Sequence, residues 1–134
     1  MKVAVIGMGL FGEAMALDLA RAGVEVVAID RELAKLDNVR DEVALAVALD
    51  ATDERELQAQ GIGKVDLLIA CIGNDFEANQ MLVVLARELG VARIWARAPS
   101  RRHAKILELL GAERVILPEL DMAERAAREL LGAS

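Results

Sequence analysis

Aromatic residues and cysteine are nearly missing from this chain of 134 residues. Tyr is absent, aromatic residues make up 2% of the sequence, and Cys71 is the single cysteine. One cysteine excludes an internal disulfide and cannot form a zinc site without other ligands. A core with so few aromatic rings has to be built from Ala, Val, Leu and Ile, which suits helices packed in layers on a parallel sheet.

The sequence also lacks an excess of basic residues and a long uncharged apolar run. Its formal net charge is −6, which disfavours nucleic acid as a partner, because nucleic-acid backbones are bound through clustered Lys and Arg. No apolar run reaches the ~18 residues of a membrane span, and the N-terminus does not resemble a signal peptide. We therefore expect a soluble, cytoplasmic chain with no direct membrane insertion, in which residues 1–134 form one domain.

Short apolar segments alternate with helix-like segments along the whole chain, and glycines divide them. Strands are predicted at residues 2–7, 25–30, 43–49, 65–72, 92–97 and 114–117. These segments are apolar on both faces, as in a parallel sheet that is covered on both sides. Six βα units with right-handed crossovers predict a doubly wound, six-stranded parallel Rossmann sheet of the α/β class, with strand order 3-2-1-4-5-6.

Capping residues mark the predicted helix starts. They are Asp53 with Glu56, Asn74 with Glu77, Ser100, and Pro118 as a first helical residue. The last helix, at about 118–131, carries Ala and Leu around much of its circumference. Two interpretations are open: it packs on its own sheet, or it is buried against a partner.

A glycine-rich motif, GMGLFG, connects the first predicted strand to the first helix. Gly7 allows a tight turn, Gly9 lets the backbone approach a pyrophosphate, and Gly12 lets the helix pack close to the strand. Asp30 closes the second strand near the ~20-residue spacing expected of a ribose-binding acid. The pattern predicts a site for an adenine nucleotide or NAD(H), with phosphate at the helix N-terminus. A negative charge at Asp30 disfavours NADP, although Arg31 lies beside it.

Polar residues also follow the other predicted strands, where open α/β sheets bind their ligands. They are Asp50, Thr52, Asn74, Asp75, Arg97 and Glu119. The turn at Asp50 is either an adenine contact or an ordinary loop with a helix cap. Asn74 either adjoins phosphate or ribose, or is only an N-cap. Arg97 is a forked donor to phosphate or a member of an exposed salt bridge.

No catalytic constellation stands out. Cys71 lies within a strand and is predicted to be a small buried hydrophobe, and His103 is predicted to lie at the surface without a nucleophile to activate. Arg101 and Arg102 are expected on a solvated helix face. The sequence shows no metal-ligand spacing, no Ser-His-Asp set and no room for the substrate domain of a Rossmann dehydrogenase, which indicates binding without catalysis.

Four stretches resemble the RCK domain, also called KTN or TrkA-N: GMGLFGEAMALDLARAGVEVVAID, LDATDERELQAQGI, LLIACIGND and RIWARAPSRRHAKILELLGAERVILPELDM. The last is the most specific, because ordinary dehydrogenases lack it. The resemblance implies a regulatory subunit of a Ktr or Trk type potassium transport system. Such subunits lie in the cytoplasm against the inner face of the cell membrane, and they form homodimers that assemble into rings. On binding ADP, ATP, AMP or NAD(H) they gate a membrane potassium-transport subunit. For this chain the resemblance implies a homodimer and an octameric ring.

The resemblance also implies the ligand residues. They are Gly7, Met8, Gly9, Leu10, Phe11, Gly12, Asp30, Arg31, Asp50, Ala51, Thr52, Ile72, Gly73, Asn74 and Arg97. Glu119 resembles an acid that helps to hold a divalent cation between dimer mates in some members. Leu10 stands where members that sense the third phosphate of ATP often carry Arg, which favours ADP, AMP or NAD(H). The smaller C-terminal subdomain of complete subunits is missing, so the chain is either a piece of a longer subunit or a minimal domain.

Two other functions are open at this stage. The glycine motif and Asp30 taken alone would also suit the cofactor-binding half of an NAD-dependent oxidoreductase. A soluble nucleotide sensor with a non-channel partner fits the same residues. Hydride transfer from bound NADH would identify the first alternative, and a partner other than a pore protein would identify the second.

Overall fold

The structure, a computed structural model, describes residues 1–132. Its strands are β1 (Lys2–Ile6), β2 (Glu25–Asp30), β3 (Leu45–Ala48), β4 (Leu67–Ala70), β5 (Ile94–Arg97) and β6 (Arg114–Ile116). Its α-helices are α1 (Leu10–Arg21), α2 (Glu54–Ala59), α3 (Phe76–Glu88), α4 (Arg101–Leu109) and α5 (Pro118–Leu130). Short 3₁₀-helices span Leu33–Leu36 and Ile62–Lys64. In these 132 residues no helix is both long and apolar enough to cross a membrane.

The six strands form one parallel sheet in the order β3-β2-β1-β4-β5-β6, which confirms the predicted topology. The register aligns the carboxyl ends of the central strands, because Ile6 pairs with Ile29 on one side and with Ala70 on the other. Gly7 and the residues that follow β2 and β4 therefore emerge together at one edge of the sheet. This edge is where a doubly wound sheet places its ligand.

Two apolar layers cover the sheet. Helices α2, α3 and α4 bury one face through side chains such as Leu57, Leu82 and Leu107. Helix α1 and the first 3₁₀-helix bury the opposite face, where Ala16 and Leu36 have no exposed surface. Right-handed crossovers explain the division, because the connections from β1 to β3 and from β3 to β6 wind in opposite directions across the sheet.

The connection between β2 and β3 contains no α-helix, so the prediction of six βα units was wrong at this point. Only the 3₁₀-helix and a series of turns fill it. Leu36, Val39 and Val43 have helical spacing and are buried, but Asp37 and Asn38 interrupt them. Side chains of Asp and Asn compete with the helix for backbone hydrogen bonds and favour turns.

Most of the predicted helix starts are confirmed. The structure has Asp53 as the N-cap of α2, Ser100 as the N-cap of α4 and Pro118 as the first residue of α5. Asn74 as an N-cap was wrong, because α3 begins one residue later. Its N-cap is Asp75, whose Oδ1 accepts a hydrogen bond of 3.1 Å from the Ala78 N–H. Asp and Asn cap equally well, so the path of the chain leaving β4 selects between them.

The last helix is not packed on the sheet. Helix α5 has no buried residue, and the exposed fractions of Leu120, Met122 and Leu130 are 37%, 59% and 87%. Of the two interpretations of this helix, packing on its own sheet was therefore wrong. Burial against a partner stays a prediction, supported by the apolar surface that the helix leaves uncovered.

Candidate nucleotide site

A cleft of about 630 Å³ opens at the carboxyl edge of the sheet, where β1 and β4 lead into helices on opposite faces. Most of the predicted site residues line it: Gly7, Gly9, Asp30, Arg31, Asp50, Ala51, Thr52, Ile72, Gly73, Asn74 and Arg97. Met8, Leu10, Phe11, Gly12 and Glu119 are not part of its walls. A cleft of this size is in the range of small-molecule sites.

The glycine loop brings α1 close to the ends of β1 and β4. Gly7 has φ +102°, which side-chain-bearing residues rarely adopt, and a Cβ there would lie 2.6 Å from the Cys71 carbonyl carbon. A Cβ on Gly12 would collide with the Gly7 carbonyl oxygen. A Cβ on Gly9 would meet nothing within 4 Å. Gly7 and Gly12 are therefore required by the fold, whereas Gly9 leaves open space beside the cleft.

The start of α1 presents backbone donors at the cleft. Gly9 is its N-cap and supplies no side-chain acceptor. The first bond of the helix runs from the Glu13 N–H to the Gly9 carbonyl oxygen, at 2.9 Å. The N–H groups before Glu13 have no intrahelical partner, and the helix dipole adds partial positive charge, so an anion is favoured here.

Asp30 joins the loop to the end of β2. Its Oδ2 accepts a hydrogen bond of 2.7 Å from the Met8 N–H, and its Oδ1 accepts one of 2.8 Å from the Glu32 N–H. A carboxylate has about four lone-pair sites, so these two bonds leave capacity for two hydroxyl donors. The arrangement suits the neighbouring hydroxyls of a ribose, and it also explains how Met8 supports the site while being buried.

The turn after β3 forms the far wall of the cleft. The Oδ1 of Asp50 accepts hydrogen bonds from the Thr52 N–H (2.9 Å) and the Thr52 hydroxyl (2.6 Å). These bonds hold the pKa of Asp50 below its usual value, and the charge of Arg31 adds to the effect. Glu56, predicted to complete a capping box, instead accepts a hydrogen bond from the Asp50 N–H at 2.8 Å. Three hydrogen bonds therefore hold the turn, and the lowered pKa keeps the Asp50 carboxylate ionised at neutral pH.

On the other side of the cleft, Arg97 extends from the end of β5. A Cβ on Gly73 would overlap the Arg97 guanidinium, so the glycine makes room for it. The Arg97 Nη2 lies 3.2 Å from Oε1 of Glu119, the second residue of α5. The exposed fractions of these side chains are 24% for Arg97 and 69% for Glu119. The salt-bridge interpretation of Arg97 is therefore correct, and the cleft position leaves phosphate binding as a prediction.

Sequence reasoning missed one buried polar residue, Asn79, together with Lys35 and Glu32 at the cleft rim. Asn79 is fully buried and makes three hydrogen bonds to backbone groups. A signal for it was available, because Asn79 precedes Leu82 and Val83 by three and four positions on the apolar face of α3. An amide on such a face indicates buried backbone partners.

The prediction for Cys71 is confirmed, and the prediction for His103 is wrong. Cys71 is 1% exposed, and burial raises the pKa of its thiol to about 12 against the opposing charge of Arg97. It is a buried hydrophobe, as predicted. His103 is half-buried rather than at the surface, because its ring packs edge-on against Phe76 and its Nδ1 lies 2.6 Å from the Ser100 hydroxyl.

Glu119 was predicted to hold a divalent cation. Among residues 1–132 no group of three or more His, Cys, Asp or Glu side chains is arranged to hold a metal ion. A cation at Glu119 would therefore need its other ligands from outside these residues, namely nucleotide phosphates or a second copy of the chain. The pairing of Glu119 with Arg97 supplies a cationic neighbour at this position.

Comparison with known proteins identifies a domain family and a related potassium uptake protein. The TrkA-N domain family matches residues 3–118. "Ktr system potassium uptake protein A" of Bacillus subtilis is 38% identical over 129 residues, 96% of this chain and 58% of that protein, so the chain spans less than two thirds of this relative.

Two solved structures share the fold. One is the NAD(P)-binding domain of an exopolyphosphatase-related protein from Archaeoglobus fulgidus (TM-score 0.83, 26% identity, covering 97% of this chain and 96% of that one). The other is the Shewanella denitrificans Kef CTD in an AMP-bound form (TM-score 0.80, 26% identity, covering 100% and 84%). With its glycine loop, its strand order and a family match over most of its length, the chain belongs to the TrkA-N domain family.

Proposed function

We propose that this chain is a nucleotide-binding regulatory domain of a potassium uptake system, which responds to ADP, ATP, AMP or NAD(H). The observation that carries the proposal is the cleft that brings the glycine loop, Asp30 and Arg97 together at the switch point of the sheet. The likeness to an AMP-bound domain supports the ligand class. The likeness to a potassium uptake protein supports the regulatory role.

The residues of the cleft support one orientation of a bound nucleotide. The ribose hydroxyls donate to Asp30, which keeps lone pairs free beyond its two backbone partners. The phosphates lie against the N–H groups of α1, beside the open space at Gly9, and within reach of Arg97. The adenine lies toward the Asp50 to Thr52 turn. The residues act by binding, and the domain is proposed to perform no catalysis.

Helix α5 connects the cleft to a partner. Its second residue, Glu119, is paired with the cleft residue Arg97, and its apolar side chains are exposed. We propose that α5 packs against a second copy in a homodimer and that such dimers assemble into an octameric ring beneath a membrane potassium-transport subunit, on the cytoplasmic side. A ligand that contacts Arg97 differently in two dimer arrangements shifts their populations, and the partner senses the shift. A divalent cation bound by Glu119 and by the second copy would strengthen the contact between the two copies.

Thermal unfolding with ATP, ADP, AMP, NAD, NADH and NADPH tests the ligand. A ligand at ~100 times its Kd stabilises by about 2.7 kcal/mol, which raises Tm by about 10 °C for a chain of this length. NADPH should stabilise least, because Asp30 repels a 2′-phosphate. Asp30→Asn should remove most of the shift, whereas Asp41→Asn, an exposed residue outside the cleft, should retain it. If no ligand stabilises the chain, or if Asp30→Asn responds like the unsubstituted protein, the ligand proposal is wrong.

The regulatory role needs a separate test. The tagged chain should recover a potassium-transport protein when it is used to capture partners from native membranes, and ADP or NADH should change the yield. Oxidation of bound NADH by a small carbonyl substrate would instead support an oxidoreductase. Recovery of only non-membrane partners would overturn the potassium role while leaving nucleotide binding intact.

A further inference from the structure

Asn79, on α3, is fully buried behind the cleft wall and is not one of its lining residues. Its Oδ1 accepts a hydrogen bond of 3.0 Å from the Ile72 N–H. Its Nδ2 donates to the Ala70 carbonyl oxygen at 3.3 Å and to the Arg97 carbonyl oxygen at 3.1 Å. One amide therefore joins the backbone of two neighbouring strands at their carboxyl ends.

The hydrogen bonds of Asn79 lie where β4 and β5 stop pairing with each other. Strand β4 ends at Ala70 and β5 ends at Arg97, so the two strands no longer pair with each other beyond these points. Their other neighbours continue one residue further, because the Cys71 N–H donates to the Ile6 carbonyl oxygen and the Ala98 N–H donates to the Ile116 carbonyl oxygen. A side-chain amide carries a donor and an acceptor, as a peptide group does, and it replaces the missing ladder bonds. Without it, two carbonyl groups and one N–H that are buried or partly buried would each lose a hydrogen bond.

The two segments that Asn79 joins, one at Ile72 and one at Arg97, form neighbouring parts of the same cleft wall. Gly73 follows Ile72 directly in the chain, and the Arg97 guanidinium lies over Gly73. Binding the Arg97 carbonyl and the Ile72 N–H to one side chain therefore fixes the backbone from which the Arg97 side chain extends relative to the Gly73 backbone. The geometry of that wall depends on Asn79 although Asn79 does not reach the cleft.

We propose that Asn79 is a positioning residue for the phosphate side of the cleft, acting through the Ile72–Gly73 backbone and through Arg97. The inference rests on the nucleotide binding proposed above, and it adds a residue that determines how well phosphate is held. The adenosine side is independent of it. Asp30 and the Asp50 turn lie at the ends of β2 and β3, which are two and three strand spacings from β4, about 10 and 14 Å, and they have their own hydrogen bonds.

The test separates the two halves of the ligand. Affinities of ADP and adenosine are measured by titration calorimetry for the unsubstituted chain, Asn79→Ser and Asn79→Asp, well below the unfolding temperature of each. The control is Leu82→Ala, which destabilises the same helix by opening a cavity in the core, away from the cleft. A positioning role requires ADP affinity to fall about tenfold or more in the Asn79 variants while adenosine affinity stays within about twofold. Leu82→Ala should keep both affinities.

The results separate this inference from the proposed function. If the unsubstituted chain binds ADP and the Asn79 variants keep its ratio of ADP to adenosine affinity, only the positioning role is overturned. If the unsubstituted chain binds neither ligand, both proposals are wrong. Hydrogen exchange of the unsubstituted chain adds a reading that needs no variant to fold: the Ile72 amide should be protected without nucleotide, and exchange at the rate of an exposed loop amide would overturn the proposal.

Discussion

Two glycines of the same motif should respond oppositely when each is replaced by alanine. Gly12→Ala adds a methyl that collides with the Gly7 carbonyl oxygen and lies 3.2 Å from the Cys71 Cβ. Gly9→Ala adds the same methyl to open space beside the cleft. The two substitutions are matched in chemistry and three positions apart, so they separate the demands of the fold from the demands of the ligand.

The magnitudes follow from these surroundings. Overpacking against backbone at Gly12 costs about 3 kcal/mol, and replacing a helical glycine by alanine returns up to about 1 kcal/mol. The net loss of about 2 kcal/mol lowers Tm by about 7 °C, because a chain of 134 residues has an unfolding entropy of about 0.28 kcal/mol/K. At Gly9 the lost freedom of the unfolded chain and the weaker N-cap nearly offset each other, so stability changes by less than about 1 kcal/mol.

The assay is thermal unfolding with and without ADP. Gly12→Ala should unfold at lower temperature, and Gly9→Ala should unfold near the temperature of the unsubstituted chain but lose the stabilisation by ADP, because its methyl occupies the space for the pyrophosphate. The reasoning is refuted if Gly12→Ala unfolds at the unchanged temperature. It is equally refuted if Gly9→Ala is stabilised by ADP as strongly as the unsubstituted chain.

Three further predictions concern Cys71, Glu113 and the exposed face of α5. The Cys71 thiol should resist alkylation at pH 8 in the folded chain and react on unfolding, because burial raises its pKa to about 12; rapid labelling without denaturant would contradict this. Fluorescence of Trp95, whose Nε1 donates to Glu113 at 2.8 Å, should change as pH falls through the pKa of Glu113, which hydrogen bonds from Arg93 and Trp95 hold below its usual value. Glu113→Gln should abolish that transition, and its persistence would exclude Glu113 as the source. Met122→Asp with Leu130→Asp should convert a dimer to a monomer in light scattering, and an unchanged mass would remove α5 from the interface.

Local patterns account for what could be predicted of the fold and the site. Alternation of apolar segments with glycines indicated all six strands and their order, since period and punctuation are properties of neighbouring residues. The glycine motif and Asp30 placed the cleft correctly, because each residue follows a strand whose direction the topology already dictates. The turn at Asp50 was located for the same reason.

The misses share a different cause. Asp75 rather than Asn74 caps α3, although both residues cap equally well, and the connection after β2 forms turns where the prediction of six βα units required a helix. The amide of Asn79 and the pair between Arg97 and Glu119 join segments 18 and 22 residues apart. Such contacts depend on how strands separate at their ends, which no local pattern specifies.

The sequence was sufficient for the class of fold, the strand order and the position of Asp30 in the cleft, because hydrophobic periodicity and glycine sterics act over a few residues. Tertiary packing was needed to show that α5 leaves the sheet, that Arg97 lies over Gly73 against Glu119, and that Asn79 closes the gap between β4 and β5. The physical reason is that burial and hydrogen-bond satisfaction are properties of the whole assembly of elements: a side chain acquires its partners only when distant segments meet.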